Sequence, residues 1–249
     1  SPGVVTRRNV PSALRGAGDA PRSVDDVDAP VGSRVEREGR APVEIDERTL
    51  KSVEAYDEHA AAYQEAFRLK RPVADVRRFG DLAERGCLVL DAACGPATDL
   101  RVLADLGVHP VGLDLSMGAL QHARMLLPRH PLVRAPLHDP PFRPGSFGGL
   151  WLSSAFTHLP REDWRPTFAI LLSLLDTGPV YLSCYRGTAD MEPVDDPLLG
   201  RTWRSQATED EVEALLVSHG LADVQVEVRP DPIVDRRRPW VVALGHRPR

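Results

Sequence analysis

From about residue 86 onward the chain alternates short apolar strands with amphipathic helices five times, and this alternation most limits what it can fold into. Parallel strands cannot be joined by tight turns, so each needs a crossover, and a helix is the usual one. The runs at 87–90 (ending at Asp91), 111–114, 132–133, 149–153 and 180–184 lack polar alternation, as strands covered on both faces do. Helices are expected from the turn after Asp91 to about Leu106, from Ser116 as N-cap, and over 161–175. Thr208 and Glu211 have capping-box spacing for a further helix ending at Gly220, and strands at 224–228 and 240–244 follow. The pattern predicts an α/β, doubly wound, Rossmann-like sheet of about seven strands with helices on both faces. It is mostly parallel with an antiparallel last strand.

The rest of the chain reads as additions to that domain at 86–249. Residues 1–45 are punctuated by Pro2, Pro11, Pro21, Pro30 and Pro42 without apolar periodicity, and are expected to be a disordered tail. Residues 46–85 are expected to form lid helices, the first over 47–66 with Leu50, Val53, Tyr56, Ala60 and Tyr63 on one face, the second over 72–84. Residues 186–206 read as an irregular insertion on the substrate side. The net charge of −5 argues against sequence-independent nucleic-acid binding, and no run approaches the roughly 20 apolar residues of a membrane span. Three cysteines without CxxC spacing suggest core residues in a reducing, cytoplasmic setting, and no histidines have metal-ligand spacing.

Ligands in such sheets bind beyond the carboxyl ends of the strands. The turn there is Asp91-Ala92-Ala93-Cys94-Gly95-Pro96-Ala97, whose small residues let a ligand approach the main chain. Nineteen residues after Gly95, the second strand ends in Asp114, a carboxylate able to accept two hydrogen bonds from a ribose diol. The nicotinamide fingerprint G-x-G-x-x-G is absent, since positions 93, 95 and 98 are Ala, Gly and Thr.

These residues, with Tyr56-Asp57-Glu58-His59-Ala60, the 111–116 stretch, 141–147, 151–159 and 203–208, resemble the class I S-adenosylmethionine-dependent methyltransferases, in particular the small-molecule and tRNA-wobble-like branch. The resemblance covers about residues 50–247 and implies S-adenosylmethionine as cofactor. It implies that Asp91, Ala93 and Gly95 face the methionyl part, that Asp114 holds the ribose, and that Leu115, Met117 and Leu137 lie beside the adenine. Ser153 would lie below the sulfonium, with Tyr56 and Tyr63 closing the lid over the carboxylate. The departures are Ala93 and Ala97 for glycines, and Pro136 and Gly148 for aspartates. They motivate one alternative, a non-methylating cofactor-binding protein such as a cyclase.

On the acceptor side, His158 just past the fourth strand is the candidate general base, a task a neutral histidine suits. Tyr185, Arg186, Trp203 and Arg204 are the candidate substrate-binding residues. The expected partner is a small-molecule methyl acceptor with an oxygen or nitrogen nucleophile. Methylation of a modified tRNA base or a peptide is the other alternative, for which Arg161, Arg165 and Arg201 are the residues to inspect. Asp139-Pro140-Pro141-Phe142 mimics a base-methylating signature but precedes the fourth strand instead of following it, and Arg236-Arg237-Arg238 reads as a solvated hairpin.

Overall fold

The computed structural model describes residues 34–37, 40–67, 73–230 and 239–249. Its centre is a seven-stranded sheet built on β3 (Leu88–Ala92), β4 (His109–Asp114), β5 (Leu132–Arg134), β6 (Gly149–Ser153), β7 (Gly178–Tyr185), β10 (Ala222–Pro230) and β11 (Pro239–Arg247). The order across the sheet is β10-β11-β7-β6-β3-β4-β5. β11 alone runs antiparallel to both of its neighbours. The strands from β5 to β7 pair in parallel. The order reverses between β3 and β6, so the carboxyl ends of these strands open a crevice beneath the turn after β3.

Helices cover both faces because alternate strand residues bury on opposite sides. Leu90, Leu113, Leu150, Leu152 and Leu182 pack with Phe168 and Leu171 of α5 (Arg161–Ser173) and Leu216 of α6 (Glu209–Ser218). On the other face Val89, Trp151 and Tyr181 meet Phe79 of α2 (Val73–Leu82) and Leu103 of α3 (Thr98–Asp105). Trp151 stacks on Tyr181 at 3.8 Å and meets the edge of Phe79 at 5.3 Å. α4 (Met117–Leu126) is capped by Ser116, which accepts from the Ala119 N–H, and the predicted capping box at Thr208 and Glu211 is formed.

The structure departs from the sequence reading in three places. Residues 34–37 and 40–44 form an antiparallel hairpin, β1 with β2, inside the stretch expected as a tail, whereas residues 1–33 lie outside the described residues, as does Arg236-Arg237-Arg238. The 186–206 insertion is not irregular: β8 (Glu192–Asp196) pairs with β9 (Gly200–Arg204). Its charged strands hide the period-two pattern, and the turn is held by Asp196 Oδ1 accepting from Leu198 and Leu199. α1 (Glu47–Phe67) covers the crevice, whereas α2 reaches it only with its first residues, Val73–Asp75, and buries Val76 and Phe79 against the sheet.

The turn after β3 keeps glycine-like backbone angles despite its alanines, with φ of 63° at Ala93 and 64° at Ala97. Left-handed angles cost a residue with a Cβ roughly 1–2 kcal/mol. Ala93→Gly relieves that strain at the expense of a more flexible unfolded chain, so stability is expected to rise by about 0.5–1 kcal/mol. Urea unfolding of the variant checks this, and an unchanged or lower midpoint contradicts it.

Candidate functional site

The crevice is a single cavity of about 570 Å³ beneath α1, reaching from the β3–β4 turn to β11. At its deep end the Asp114 carboxylate ties two strand ends together. Oδ2 accepts from Gly95 N at 2.7 Å and Oδ1 from Ser116 N at 2.8 Å. Burial raises the Asp114 pKa, and these donated hydrogen bonds oppose it. Asp91 is buried, and its Oδ2 has no hydrogen-bond partner among the described residues. Burial, with Asp99 and Asp114 nearby, pushes its carboxyl well above the usual carboxylate range. A ligand presenting a donor would relieve that orphaned oxygen.

These features fit a nucleoside cofactor with a charged amino-acid tail. A carboxylate has about four lone-pair positions, so Asp114 keeps room for ribose hydroxyls beyond its two backbone bonds. A Cβ at Gly95 would meet nothing within 4 Å, so the turn leaves open space beside its backbone. Asp91, Ala93, Gly95, Leu115, Leu137 and Ser153 line the cavity as expected. Met117 does not; it is the first residue of α4, and the neighbouring Leu115, Ser116 and Ala119 are the lining residues. Pro136, where an aspartate was expected from the resemblance, lines the cavity beside Leu137. Gly148 has a packing reason, since a Cβ there would sit 2.8 Å from Cys87 Cβ.

α1 is fastened over the cofactor end. Asp57 Oδ1 accepts from Ser116 Oγ at 2.6 Å and from Gly118 N at 2.7 Å. The carboxylate therefore sits at the N-terminus of α4, where the helix dipole favours it. A side chain at Gly118 would come within 2.6 Å of the Asp57 carbonyl oxygen, so only glycine lets the helices approach this closely. Gln64 Nε2 also donates to the Pro96 carbonyl at 3.2 Å.

At the acceptor end, His158, Tyr56, Tyr63 and Tyr185 line the cavity. His158 Nδ1 lies 2.7 Å from the Trp203 carbonyl oxygen, which can only accept, so the proton is on Nδ1. Nε2 is then a lone pair facing the Tyr56 hydroxyl at 3.3 Å. Burial, and next the Arg204 charge, bring the imidazole down to about 4. It is neutral at pH 7 and a weak base. Burial raises the Tyr56 and Tyr63 hydroxyls well out of the neutral range.

Three expected substrate residues do not line the cavity. Arg186 forms an exposed ion pair with Glu209 at 2.7 Å, at the start of α6. Trp203 acts through its backbone, its carbonyl holding His158 and its N–H donating to Ser52 Oγ at 3.0 Å. Arg204 is buried in an ion pair with Asp196 and lies over the Tyr185 ring at 4.8 Å. Trp203 and Arg204 were read in an irregular insertion, and the pairing of β8 with β9 turns them to other tasks, whereas Arg186, just past the fifth strand, is drawn to Glu209. The lining residues that the sequence reading missed include Asp75, Tyr181, Arg229 and Trp240. Alternation along β11 (Trp240, Val242) was the available signal, but Asp75 and Arg229 meet at 2.5 Å only through the fold.

Residues 89–178 match a family model described as a methyltransferase domain. No curated protein matched the sequence. The 1,6-didemethyltoxoflavin-N1-methyltransferase of Burkholderia thailandensis superposes with a TM-score of 0.59 at 18% identity, over 87% of this chain and 96% of that one. That structure holds 1,6-didemethyltoxoflavin and S-adenosylhomocysteine. DhpI in complex with SAH gives 0.62 at 17% identity, over 80% and 96%. Phosphoethanolamine N-methyltransferase 2 of Haemonchus contortus, with bound S-adenosylmethionine, gives 0.64 at 15% identity, over 84% and 62%. Residues 89–178 thus match a methyltransferase domain, and the sheet order and overall fold are those of the S-adenosylmethionine-dependent methyltransferases on which the chain superposes.

Proposed function

We propose that this protein transfers the methyl group of S-adenosylmethionine to an oxygen or nitrogen of a small molecule. The observation that carries the reading is one continuous cavity with a ribose-type carboxylate at one end and a neutral histidine among aromatic rings at the other. The bound cofactor supplies an electrophilic methyl group on a cationic sulfur with a neutral thioether as leaving group. Asp114 holds the ribose, Asp91 and the Ala93–Gly95 backbone the methionyl end, and Leu115 and Leu137 flank the adenine. α1 excludes water through Asp57 and the two tyrosines. His158, with its Nδ1 proton fixed by Trp203, presents Nε2 to the acceptor side and orients a hydroxyl or N–H there. Positioning of this kind supplies up to about 7–11 kcal/mol in favourable in-line reactions.

Small-molecule acceptors have more support than tRNA or peptides. Arg161 is paired with Glu211, and Arg201 with Asp195 at 2.5 Å, so neither is an unpaired cation for a phosphate backbone. Arg165 donates to Ser218 away from the cavity. The preserved left-handed angles at Ala93 and Ala97 speak against a disabled cofactor loop, one of the grounds for a non-methylating reading, the others being Pro136 and Gly148. Among the described residues no helix is long and apolar enough to cross a membrane. The three free cysteines support a cytoplasmic setting.

Calorimetric titration with S-adenosylhomocysteine is expected to give saturable 1:1 binding. Asp114→Ala is expected to weaken it by roughly 1.5–3 kcal/mol, at least tenfold in Kd, the usual loss of a hydrogen-bonded charged group. Absence of binding by the wild type, or an unaffected variant, contradicts the assignment.

The His158 environment sets a pH effect with a definite sign. The unfolded imidazole takes up its proton near 6.5 and the folded one only at about 4, so between these values the unfolded state binds more protons. Folding stability therefore falls as pH drops through that window, and the group contributes nothing above it. Allowing for partial exposure, the wild type is expected to lose about 2 kcal/mol more than His158→Gln between pH 7 and 4.5, measured by urea unfolding. Parallel losses in the two proteins contradict the assigned burial.

A further inference from the structure

The acceptor end of the cavity is walled by rings from two directions. Tyr56 and Tyr63 of α1 meet edge to face with centroids 5.1 Å apart. Tyr185 and Trp240 are cross-strand partners on β7 and β11, with centroids 4.1 Å apart and planes tilted by 36°. All four line the same cavity. Rings gain most contact and quadrupole interaction against another flat ring, and little against a branched or saturated one.

The far end of this arm offers no unpaired cation among the described residues. Arg229 gives Nη1 to Asp75 at 2.5 Å, and its Nε and Nη2 to Glu227 at 3.0 and 2.8 Å. Arg78 pairs with the same Glu227 at 3.2 Å. Two guanidinium groups thus face two carboxylates, a balanced cluster that has no charge to spare for a phosphate. Proton acceptors are equally committed. Asp75 holds Arg229, and Asp99 accepts from Trp151 Nε1 at 3.0 Å. His158 is flanked by the Tyr56 hydroxyl, the Trp203 carbonyl and the buried Arg204–Asp196 pair of the β8–β9 hairpin, and the guanidinium opposes formation of an imidazolium. Asp91 and Asp114 belong to the cofactor end. His138 also lines the cavity, and its buried Nε2 has no partner among the described residues, but it follows β5, at the other edge of the sheet from Tyr185 and Trp240. Among the described residues, the acceptor end therefore has only the weakly basic His158 to strip a proton from a weakly acidic hydroxyl.

Resting on the transfer reading above, we infer that the acceptor is a flat conjugated ring compound, methylated at an acidic ring O–H or N–H that is already ionised near neutral pH. The proton leaves to water before transfer. The lone pair of the ring anion then forms the new O–C or N–C bond as the S–C bond breaks with its electron pair left on sulfur. The anionic and sulfonium charges cancel, and the Tyr56 hydroxyl is the donor that orients the anion, since Nε2 of the neutral His158 is a lone pair.

The test uses the full chain and four probes: 4-hydroxycoumarin, its less acidic isomer 7-hydroxycoumarin, the saturated decahydro-2-naphthol, and phosphoethanolamine. Binding is measured by calorimetry on protein saturated with S-adenosylhomocysteine, and turnover as S-adenosylhomocysteine released from S-adenosylmethionine. Both coumarins are expected to bind at least tenfold more tightly than the saturated alcohol or phosphoethanolamine. Turnover with the 4-hydroxy isomer at pH 7 is expected to exceed that with the 7-hydroxy isomer at least tenfold, the gap closing as pH rises. Trp240→Ala and Tyr185→Leu are each expected to remove most of the preference for flat probes while retaining S-adenosylhomocysteine binding. The wild-type ranking stands as the test if either variant fails to fold. Equal or tighter binding of decahydro-2-naphthol or phosphoethanolamine, binding by no probe, or equal turnover of the two isomers at pH 7 overturns the inference while leaving the transfer reading intact. Failure of the wild type to bind S-adenosylhomocysteine overturns that reading itself.

Discussion

The carboxylate of Asp114 holds the site together. Its two oxygens accept the backbone N–H groups of Gly95 and Ser116, joining the turn after β3 to the end of β4. Without that pairing the left-handed turn through Ala93, Gly95 and Ala97 would have little to offset its strain. The same hydrogen-bond path continues outward, since Ser116 Oγ donates to Asp57 and Asp57 also accepts from Gly118 N. Turn, second strand, α4 and the covering helix α1 are linked through one serine and two aspartates. A change at any of these is felt at the cavity mouth as well as at its floor.

The acceptor end depends on a second device, the β8–β9 hairpin. Its backbone carbonyl at Trp203 fixes the His158 tautomer, and Ser52 of α1 hydrogen-bonds to the Trp203 N–H at 3.0 Å. Thr49 Oγ1 donates to the His158 carbonyl at 2.6 Å. Lid, histidine and hairpin are therefore held in mutual register. The buried Arg204–Asp196 pair behind them keeps a positive charge near the imidazole and favours its neutral form. On the proposed function, this end supplies orientation more than proton transfer.

Much of this was legible in the sequence for a physical reason. Strands buried on both faces have to be apolar runs, and helix caps have to be specific side chains, so β3, β4, β6, β7 and the caps at Ser116 and Thr208 announce themselves. Asp91 and Asp114 were legible because local chain geometry alone places them at strand ends. The hairpin β8–β9 was not, since Glu192–Asp196 carries its charge on both faces and its pairing rests on tertiary support from α1. For the same reason Arg186 and Arg204 were read as substrate ligands, although each has an acidic partner, Glu209 and Asp196, brought to it by the folded chain. The Asp75–Arg229 contact spans 154 residues and has no local signal at all.

The most direct test of the central claim is a crystal structure of the protein with S-adenosylhomocysteine. The ribose hydroxyls are expected within hydrogen-bond distance of Asp114, and the methionyl end beside Asp91 and the Ala93–Gly95 backbone. The sulfur is expected to face the space bounded by His158, Tyr185 and Trp240. A ligand bound elsewhere, or one that leaves Asp114 without a ribose contact, would contradict it.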